Sequence, residues 1–108
     1  MRTLDERMEE VAMGIIANAG AARGTAFEAL EAAKEGDFAR ADALIEEAST
    51  YSLEAHHVHS ELLAMYARGE IEGGDILLTH AQDHLMCSAL AKELVSEIIL
   101  LRKELHSA

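Results

Sequence analysis

No proline occurs anywhere in the 108 residues of this chain, and its seven glycines are grouped near a few positions. Proline breaks helices and glycine weakens them, so the sequence contains long stretches in which a helix can continue without interruption. Half of the residues are apolar, yet only two Phe and two Tyr are present, with no Trp. A core built from Ala, Leu, Ile, Val and Met is typical of helices. We therefore predict an all-α fold.

Three segments of the chain place apolar residues at alternating spacings of three and four, the pattern of long amphipathic helices. The segments run from about residue 4 to 34, 38 to 68 and 75 to 106. The first has a seam rich in alanine, which contains Met8, Ala12, Ile15, Ala19, Ala22, Ala26, Ala29 and Ala33. Small side chains allow a neighbouring helix to approach closely. At ~1.5 Å per residue each helix is about 45 Å long, so we expect an elongated protomer.

Short connections that contain glycine separate these segments. Gly36 and Asp37 predict the C-terminal cap of the first helix followed by the N-cap of the second. Gly69 is expected to end the second helix, and Asp75 to cap the third. Connections this short favour antiparallel neighbours. We therefore predict a single domain over residues 1–108, made of three long antiparallel helices.

The third segment is apolar on most of its circumference. One seam contains Leu77, His80, His84, Cys87, Ala91, Leu94, Ile98, Leu101 and Leu105, and a second stripe contains Ile76, Thr79, Asp83, Met86 and Leu90. The unbroken spacing of the first seam places its members in line with core residues. Two partner helices cover only part of a helix that is apolar nearly all round. We therefore expect the chain to form an oligomer.

Charge and composition narrow the classes of partner and the location. Nine Lys and Arg against twenty Asp and Glu give a net charge of −11, which argues against nucleic acid and anionic lipid surfaces and fits a basic protein partner. The single cysteine excludes an internal disulfide. The N-terminus lacks the apolar run of a signal peptide, and no segment approaches the ~18 apolar residues of a membrane span. We expect a soluble cytoplasmic protein without membrane insertion.

The sequence His80-Ala81-Gln82-Asp83-His84 carries the chemistry-bearing side chains of the third helix. His80 and His84 are four residues apart and share one helix face, whereas Asp83 lies to the side. These residue types allow three roles: binding of a metal, transfer of a phosphoryl group, or structural hydrogen bonding inside a core.

A transition-metal site is one alternative, since a histidine pair at this spacing can share a metal. The histidines at 56, 57 and 59 of the second helix could approach one member of the pair. A ferritin-like di-iron site, however, needs two Glu-x-x-His elements and two further Glu, and only Glu54 with His57 supplies such an element. Cys87 is a weaker candidate for a nucleophile because it belongs to the expected core seam. A helical metal-binding or interaction protein that uses the histidines therefore stays open.

Phosphoryl transfer fits the same residue types. A neutral imidazole is a good nucleophile at physiological pH, because one ring nitrogen can attack phosphorus while the other keeps its proton. His80 lies about five residues beyond the expected N-cap, so the positive end of the helix dipole would favour a phosphoryl group there if the side chain reaches back. The chain has no glycine-rich phosphate loop following a strand, which argues against the familiar nucleotide-binding folds.

Four blocks of the sequence occur together in a known family. They are EEVAMGII at residues 9–16, AAKEGDF at residues 32–38, EAH at residues 54–56 and THAQDHLM at residues 79–86. In these blocks the chain resembles the IIA component of the lactose and cellobiose/chitobiose family of the bacterial phosphoenolpyruvate-dependent sugar phosphotransferase system. The last block is highly specific, and the resemblance covers nearly the whole chain.

The resemblance implies a phosphocarrier that assembles as a homotrimer, a bundle of nine helices. It implies that His80 is phosphorylated on Nε2 by the histidine-phosphorylated carrier protein HPr and passes the group to a cysteine of the cognate IIB component. It also implies that Asp83 meets its two symmetry mates on the trimer axis, where they hold one structural divalent ion, usually taken to be Mg²⁺. Three converging carboxylates repel unless a cation or protons neutralise them.

The resemblance says less about the other residues of the site. Gln82 and His84 are expected neighbours of His80, and His56 matches a recurring histidine of the second helix. His59 stands where the family would have Gln, so the role of this imidazole is not implied. The sugar is left open among lactose, cellobiose and chitobiose, because in this system the membrane component selects it.

Overall fold

The computed structural model describes residues 4–72 and 76–107. These residues form three helices, α1 (Leu4–Lys34), α2 (Phe38–Ala67) and α3 (Ile76–Ser107), and none of them lies in a strand. The predicted all-helical fold is therefore confirmed. The bundle measures 57 × 23 × 18 Å, as expected for long helices packed side by side.

The connection between α1 and α2 is fixed by the glycine and aspartate that the sequence suggested. Gly36 has a φ of +82°, and the backbone N–H groups of Gly36 and Asp37 donate to the carbonyls of Ala33 and Ala32, which is the Schellman arrangement. The Asp37 carboxylate then accepts a hydrogen bond of 3.1 Å from the backbone N–H of Arg40, which caps α2. This turn sends α2 back along α1.

The end of α2 has the same Schellman arrangement. Gly69 has a φ of +75°, and the N–H groups of Gly69 and Glu70 donate to the carbonyls of Tyr66 and Met65. The expected N-cap of α3, Asp75, lies outside the described residues.

Two buried clusters define the direction of the helices. One joins the early part of α1 to the late part of α2 and the early part of α3, and it contains Ala12, Ile15, Ala55, Leu62, Leu78, Ala81 and Leu85. The other, at the opposite end, contains Ala29, Ala32, Ala33, Ala41, Leu44, Val95 and Ile99. Hence α2 runs antiparallel to α1 and α3. The alanine seam of α1 is buried as predicted, because alanine lets two helices pack against α1 at once.

The prediction of which face of α3 points into the core is wrong. The buried residues are Leu78, Ala81, Leu85, Ser88, Val95 and Ile99, one position away from most of the expected seam. Cys87, expected on the core seam, is exposed. The error has a physical cause: α3 is apolar on several faces, so spacing alone cannot tell the face that meets α1 from the face that does not.

The opposite face of α3 is an exposed apolar stripe, which contains Ile76, Met86, Leu90, Leu94, Ile98, Leu101 and Leu105. Ile76 is 87% exposed, and the others are 40% exposed or more. A stripe this long is unusual on a free protein surface. We call it the α3 stripe below. Within the described residues, no helix is long and apolar enough to cross a membrane.

Candidate functional site

His80 and His84 form a pair on the second and third turns of α3. Their Nε2 atoms are 3.1 Å apart, and their rings meet edge to face, with centroids 4.5 Å apart and planes at 89°. His80 is exposed and His84 is half-buried. The spacing of four residues brings both rings to one side of the helix, as the sequence predicted.

The short contact between the two Nε2 atoms constrains the protons of the pair. A hydrogen bond between two neutral imidazoles needs one N–H donor and one lone pair. If His84 Nε2–H donates, His80 Nε2 holds the lone pair and its proton lies on Nδ1. In that state His80 Nε2 is the nucleophilic atom, and the donor atom Nε2 of His84 lies 3.1 Å from it.

A groove between α1 and α3 adjoins the pair. Its volume is about 310 Å³, and it is lined by Ala19, Gly20, Arg23, Gly24, Phe27, His84, Cys87 and Ser88. The space at Gly20 and Gly24 is open, since a Cβ at either position would meet no atom within 4 Å. Arg23 is the one charged side chain among these described lining residues, and it lies 5.8 Å over the ring of Phe27. In a strongly acidic protein, this groove is locally suited to an anion.

Gln82, an expected neighbour of His80, instead connects α3 to α2. Its Nε2 lies 3.0 Å from Nε2 of His59, which is only 8% exposed. Burial, and to a smaller extent the charge of His56, lower the pKa of His59, so its ring is neutral at physiological pH. Among the described residues, no hydrogen bond joins Gln82 to His80. Gln82 therefore holds the helices together on the side of α3 away from the pair.

The remaining histidines of α2 stay apart from the pair. His56 is exposed, and His57 lies 3.5 Å from the carboxylate of Glu61 at the protein surface. Across the part of the chain that the structure describes, no hydrogen bond or ring contact links a histidine of α2 to His80 or His84. The suggested gathering of histidines from both helices therefore does not occur in a single chain.

Asp83 is exposed on the face of α3 that carries the α3 stripe, near the N-terminal end of the stripe. It lies three residues from Met86 and seven residues, or about two helical turns, from Ile76 and Leu90. No group of three or more His, Cys, Asp or Glu side chains converges to hold a metal in the described residues of one chain. One protomer thus offers a single carboxylate at this position.

Two features of the site did not emerge from the sequence. The sequence analysis did not single out Arg23, and only the packing of α1 against α3 brings this residue to the groove beside His84. The contact between His59 and Gln82 depends on the rotation of α3, which was predicted wrongly. The burial of His59 itself could be predicted, since it lies four residues after Ala55 and three before Leu62, on one apolar face of α2.

Comparisons with known proteins agree with the resemblance. The family model described as "PTS system, Lactose/Cellobiose specific IIA subunit" matches residues 10–103. The chain is 44% identical over 106 residues to the PTS system N,N'-diacetylchitobiose-specific EIIA component of Escherichia coli strain K12, a match that covers 98% of this chain and 91% of the relative.

Solved structures give the same result. The crystal structure of the PTS cellobiose-specific enzyme IIA from Bacillus anthracis superposes with a TM-score of 0.89 at 43% identity, and covers 99% of this chain and 95% of that one. The IIA(Chitobiose)–HPr complex of the Escherichia coli phosphotransferase system gives a TM-score of 0.77 at 42% identity, with 91% and 95% coverage. The chain therefore belongs to the family of lactose/cellobiose-specific IIA subunits of the phosphotransferase system.

Proposed function

We propose that this chain is a phosphocarrier in which His80 accepts a phosphoryl group from HPr and passes it to a cysteine of a IIB component, during uptake of a lactose-, cellobiose- or chitobiose-type sugar. The observation that carries the proposal is the exposed His80 ring, whose Nε2 meets Nε2 of His84 at 3.1 Å. Family membership supports it, and so does the relative whose structure is a complex with HPr.

The transfer follows from the protons of the pair. His80 Nε2 attacks the phosphorus on the donor histidine, a P–N bond to His80 forms, and the P–N bond to the donor ring breaks, returning its electron pair to that ring. The His84 Nε2–H, which donated to the lone pair of His80, then donates to a phosphoryl oxygen. In the second step a cysteine thiolate of IIB attacks phosphorus and the P–N bond to His80 breaks. Positioning and charge screening suffice for such transfers.

The surroundings of the pair support a brief and reversible encounter. Arg23 provides a cation in the groove beside His84, where it can screen a phosphoryl group. The net charge of −11 attracts a donor with a basic surface over a distance. Because the pair lies at the protein surface, neither partner has to penetrate the bundle.

We further propose that three chains associate through the α3 stripe to form the homotrimer. A continuous apolar stripe on one helix suits a threefold bundle, in which the three α3 helices cover one another. The Asp83 carboxylates would then converge, and their oxygen atoms are ligands that Mg²⁺ accepts. Such an ion would neutralise the carboxylates, and the transfer at His80 does not use it. The described residues of one chain alone do not complete this site.

The test is labelling by phosphoenolpyruvate, the general phosphotransferase enzyme and HPr. His80→Gln should abolish the acid-labile phosphate and leave the oligomer intact, because glutamine has no nucleophilic ring nitrogen. His57→Gln is the matched control, since it removes an exposed histidine of α2 that lies apart from the pair. Persistent stoichiometric labelling of His80→Gln would contradict the proposal and move the phosphorylated residue elsewhere, His84 being the first candidate.

A further inference from the structure

We propose that His80 and His84 together form a binding site for a divalent transition-metal ion of the Zn²⁺ and Cu²⁺ class, and that the bound ion blocks phosphorylation of His80. The metal binding follows from the geometry of the two rings. The inhibition rests, in addition, on the proposed function.

The distance between the two ring nitrogens fits one shared ion. Imidazole nitrogens bind Zn²⁺ at ~2.0–2.1 Å. With both Nε2 atoms at that distance and 3.1 Å apart, the angle at the ion is about 98°. This value lies between the angles of octahedral and tetrahedral coordination. Histidines four residues apart on a helix are also the spacing used by helical zinc sites, so both rings can bind without a change in the backbone.

The environment of the pair allows an ion to reach it. His80 is exposed and His84 is half-buried. Since no third His, Cys, Asp or Glu of the described chain converges on the pair, water would complete the coordination. When the ion binds, the Nε2 proton of His84 has to move to Nδ1 of the same ring, so that both Nε2 lone pairs are free and both imidazoles stay neutral.

The ligand type separates this site from the one proposed at Asp83. Neutral imidazoles select Zn²⁺, Cu²⁺ and Ni²⁺, whereas carboxylates and water select Mg²⁺. Mg²⁺ should therefore leave the histidine pair free. Along the first-row series, affinity should rise from Mn²⁺ through Co²⁺ and Ni²⁺ to Cu²⁺, with Zn²⁺ below Cu²⁺.

Metal and phosphoryl group compete for one pair of electrons. The lone pair of His80 Nε2 that attacks phosphorus is the same lone pair that binds the ion. Phosphorylated protein should in turn bind the metal more weakly, since the P–N bond removes that lone pair. Binding of the two is mutually exclusive.

The first experiment measures metal binding without any other phosphotransferase component. Calorimetric titration with Zn²⁺ should give one ion per chain, and either His80→Gln or His84→Gln should weaken binding about tenfold or more, because one imidazole replaces a chelating pair. His57→Gln, a control at an exposed histidine next to Glu61, should bind as the wild type does. Cys87→Ser should also retain binding. Equal Zn²⁺ affinity in wild type and His84→Gln, or loss of binding in Cys87→Ser, would overturn the two-nitrogen site.

The second experiment measures transfer from purified phosphorylated HPr in metal-free buffer and with Zn²⁺ or Mg²⁺ added. Zn²⁺ at saturation should lower the wild-type rate about tenfold or more, and Mg²⁺ should not. For His84→Gln the quantity compared is the ratio of its rates with and without Zn²⁺, which should be close to one. If Zn²⁺ binds the pair but the transfer rate is unchanged, the inhibition is refuted. If the wild type accepts no phosphate in metal-free buffer, the proposed function fails while the titration still reports the metal site.

Discussion

His59 is a buried polar residue whose contact with Gln82 helps to set the position of α3 in the bundle. Its ring is buried between α2 and α3, and its Nε2 faces the amide of Gln82 at 3.0 Å. An unpaired polar atom at such a depth would be costly, so the two side chains stabilise each other's position. They also fix the rotation of α3, and hence the direction in which the histidine pair points on the far side of that helix.

The lowered pKa of His59 predicts a dependence of stability on pH. Burial and the charge of His56 lower this pKa from its ordinary value of 6.5. Between the folded and the unfolded pKa, the unfolded chain binds more protons at His59, so the free energy of unfolding should fall as pH decreases below 6.5. His59→Gln should flatten this dependence, because glutamine does not titrate but can still face Gln82.

Urea unfolding at pH 7.5 and pH 5.5, at one fixed protein concentration, measures the effect. His57→Gln is the control, and it should keep the wild-type dependence because His57 lies at the surface. If the free energy of unfolding falls equally between pH 7.5 and pH 5.5 in the wild type and in His59→Gln, another group causes the acid sensitivity.

At the scale of the helices, the α1 seam and the ends of α1 and α2 were predicted correctly, whereas the orientation of α3 was not. The seam of α1 is correct because its alanines recur at spacings of three and four, and their small side chains let both other helices approach. The ends of α1 and α2 are correct because Gly36 and Gly69 adopt a positive φ. The orientation of α3 was missed because both of its faces are apolar. Only the packing against α1 decides that Leu85 is buried while Leu94 is exposed.

The histidine site was also predicted only in part: the pairing of His80 and His84 was expected, but their surroundings were not. The spacing of His80 and His84 fixes a common face on any helix, so their pairing follows from local geometry. The contacts of Gln82 and Arg23 depend on how three helices meet, and no local rule gives that. The proposed role of His80 came from the family resemblance, because neither the spacing nor the chemistry alone separates a phosphoryl acceptor from a metal ligand.

The α3 stripe predicts the effect of a charge placed on one helix face. Leu94 is 54% exposed in the protomer but lies at the centre of the proposed trimer interface. Leu94→Glu should weaken trimer association about a hundredfold, the effect of a buried unpaired charge of ~3 kcal/mol. The helix content of the protomer should change little, because the substitution does not touch the buried face of α3.

Analytical ultracentrifugation and circular dichroism measure these two quantities. The control is Leu53→Glu, a 70% exposed leucine of α2, whose neighbours at three and four residues are Ser49, Thr50, His56 and His57. A single leucine among polar residues does not make an interface, so this variant should stay trimeric. A trimer of Leu94→Glu with wild-type affinity would place the interface on another face.

At the scale of the whole molecule, an elongated protomer with one apolar side lets the proposed trimer interface and the proposed phosphoryl acceptor lie on the same helix. The α3 stripe and the histidine pair lie next to each other on α3, so association of three chains would place three phosphoryl acceptors around one bundle. Asp83 is the exception within the stripe. A carboxylate among Ile76, Met86 and Leu90 is tolerable on a free protomer, where water solvates it. In a trimer it needs a cation.

In the proposed trimer, Asp83 would determine whether association requires a metal ion. Three carboxylates brought together without a counter-ion repel strongly, so removal of divalent ions by a chelator should weaken the wild-type trimer. Asp83→Leu should abolish this sensitivity and leave association equal to or about 1–4 kcal/mol stronger than that of the wild type, since well-packed apolar groups often replace buried charges at no cost. Asp83→Asn removes the charge with little change in shape, so its association should also be insensitive to the chelator.

Ultracentrifugation with Mg²⁺ and with chelator distinguishes the outcomes. Trimers of Asp83→Leu that still dissociate on chelation would place the ion elsewhere. Loss of all helical structure in this variant would show that Asp83 does more than bind a neutralising ion.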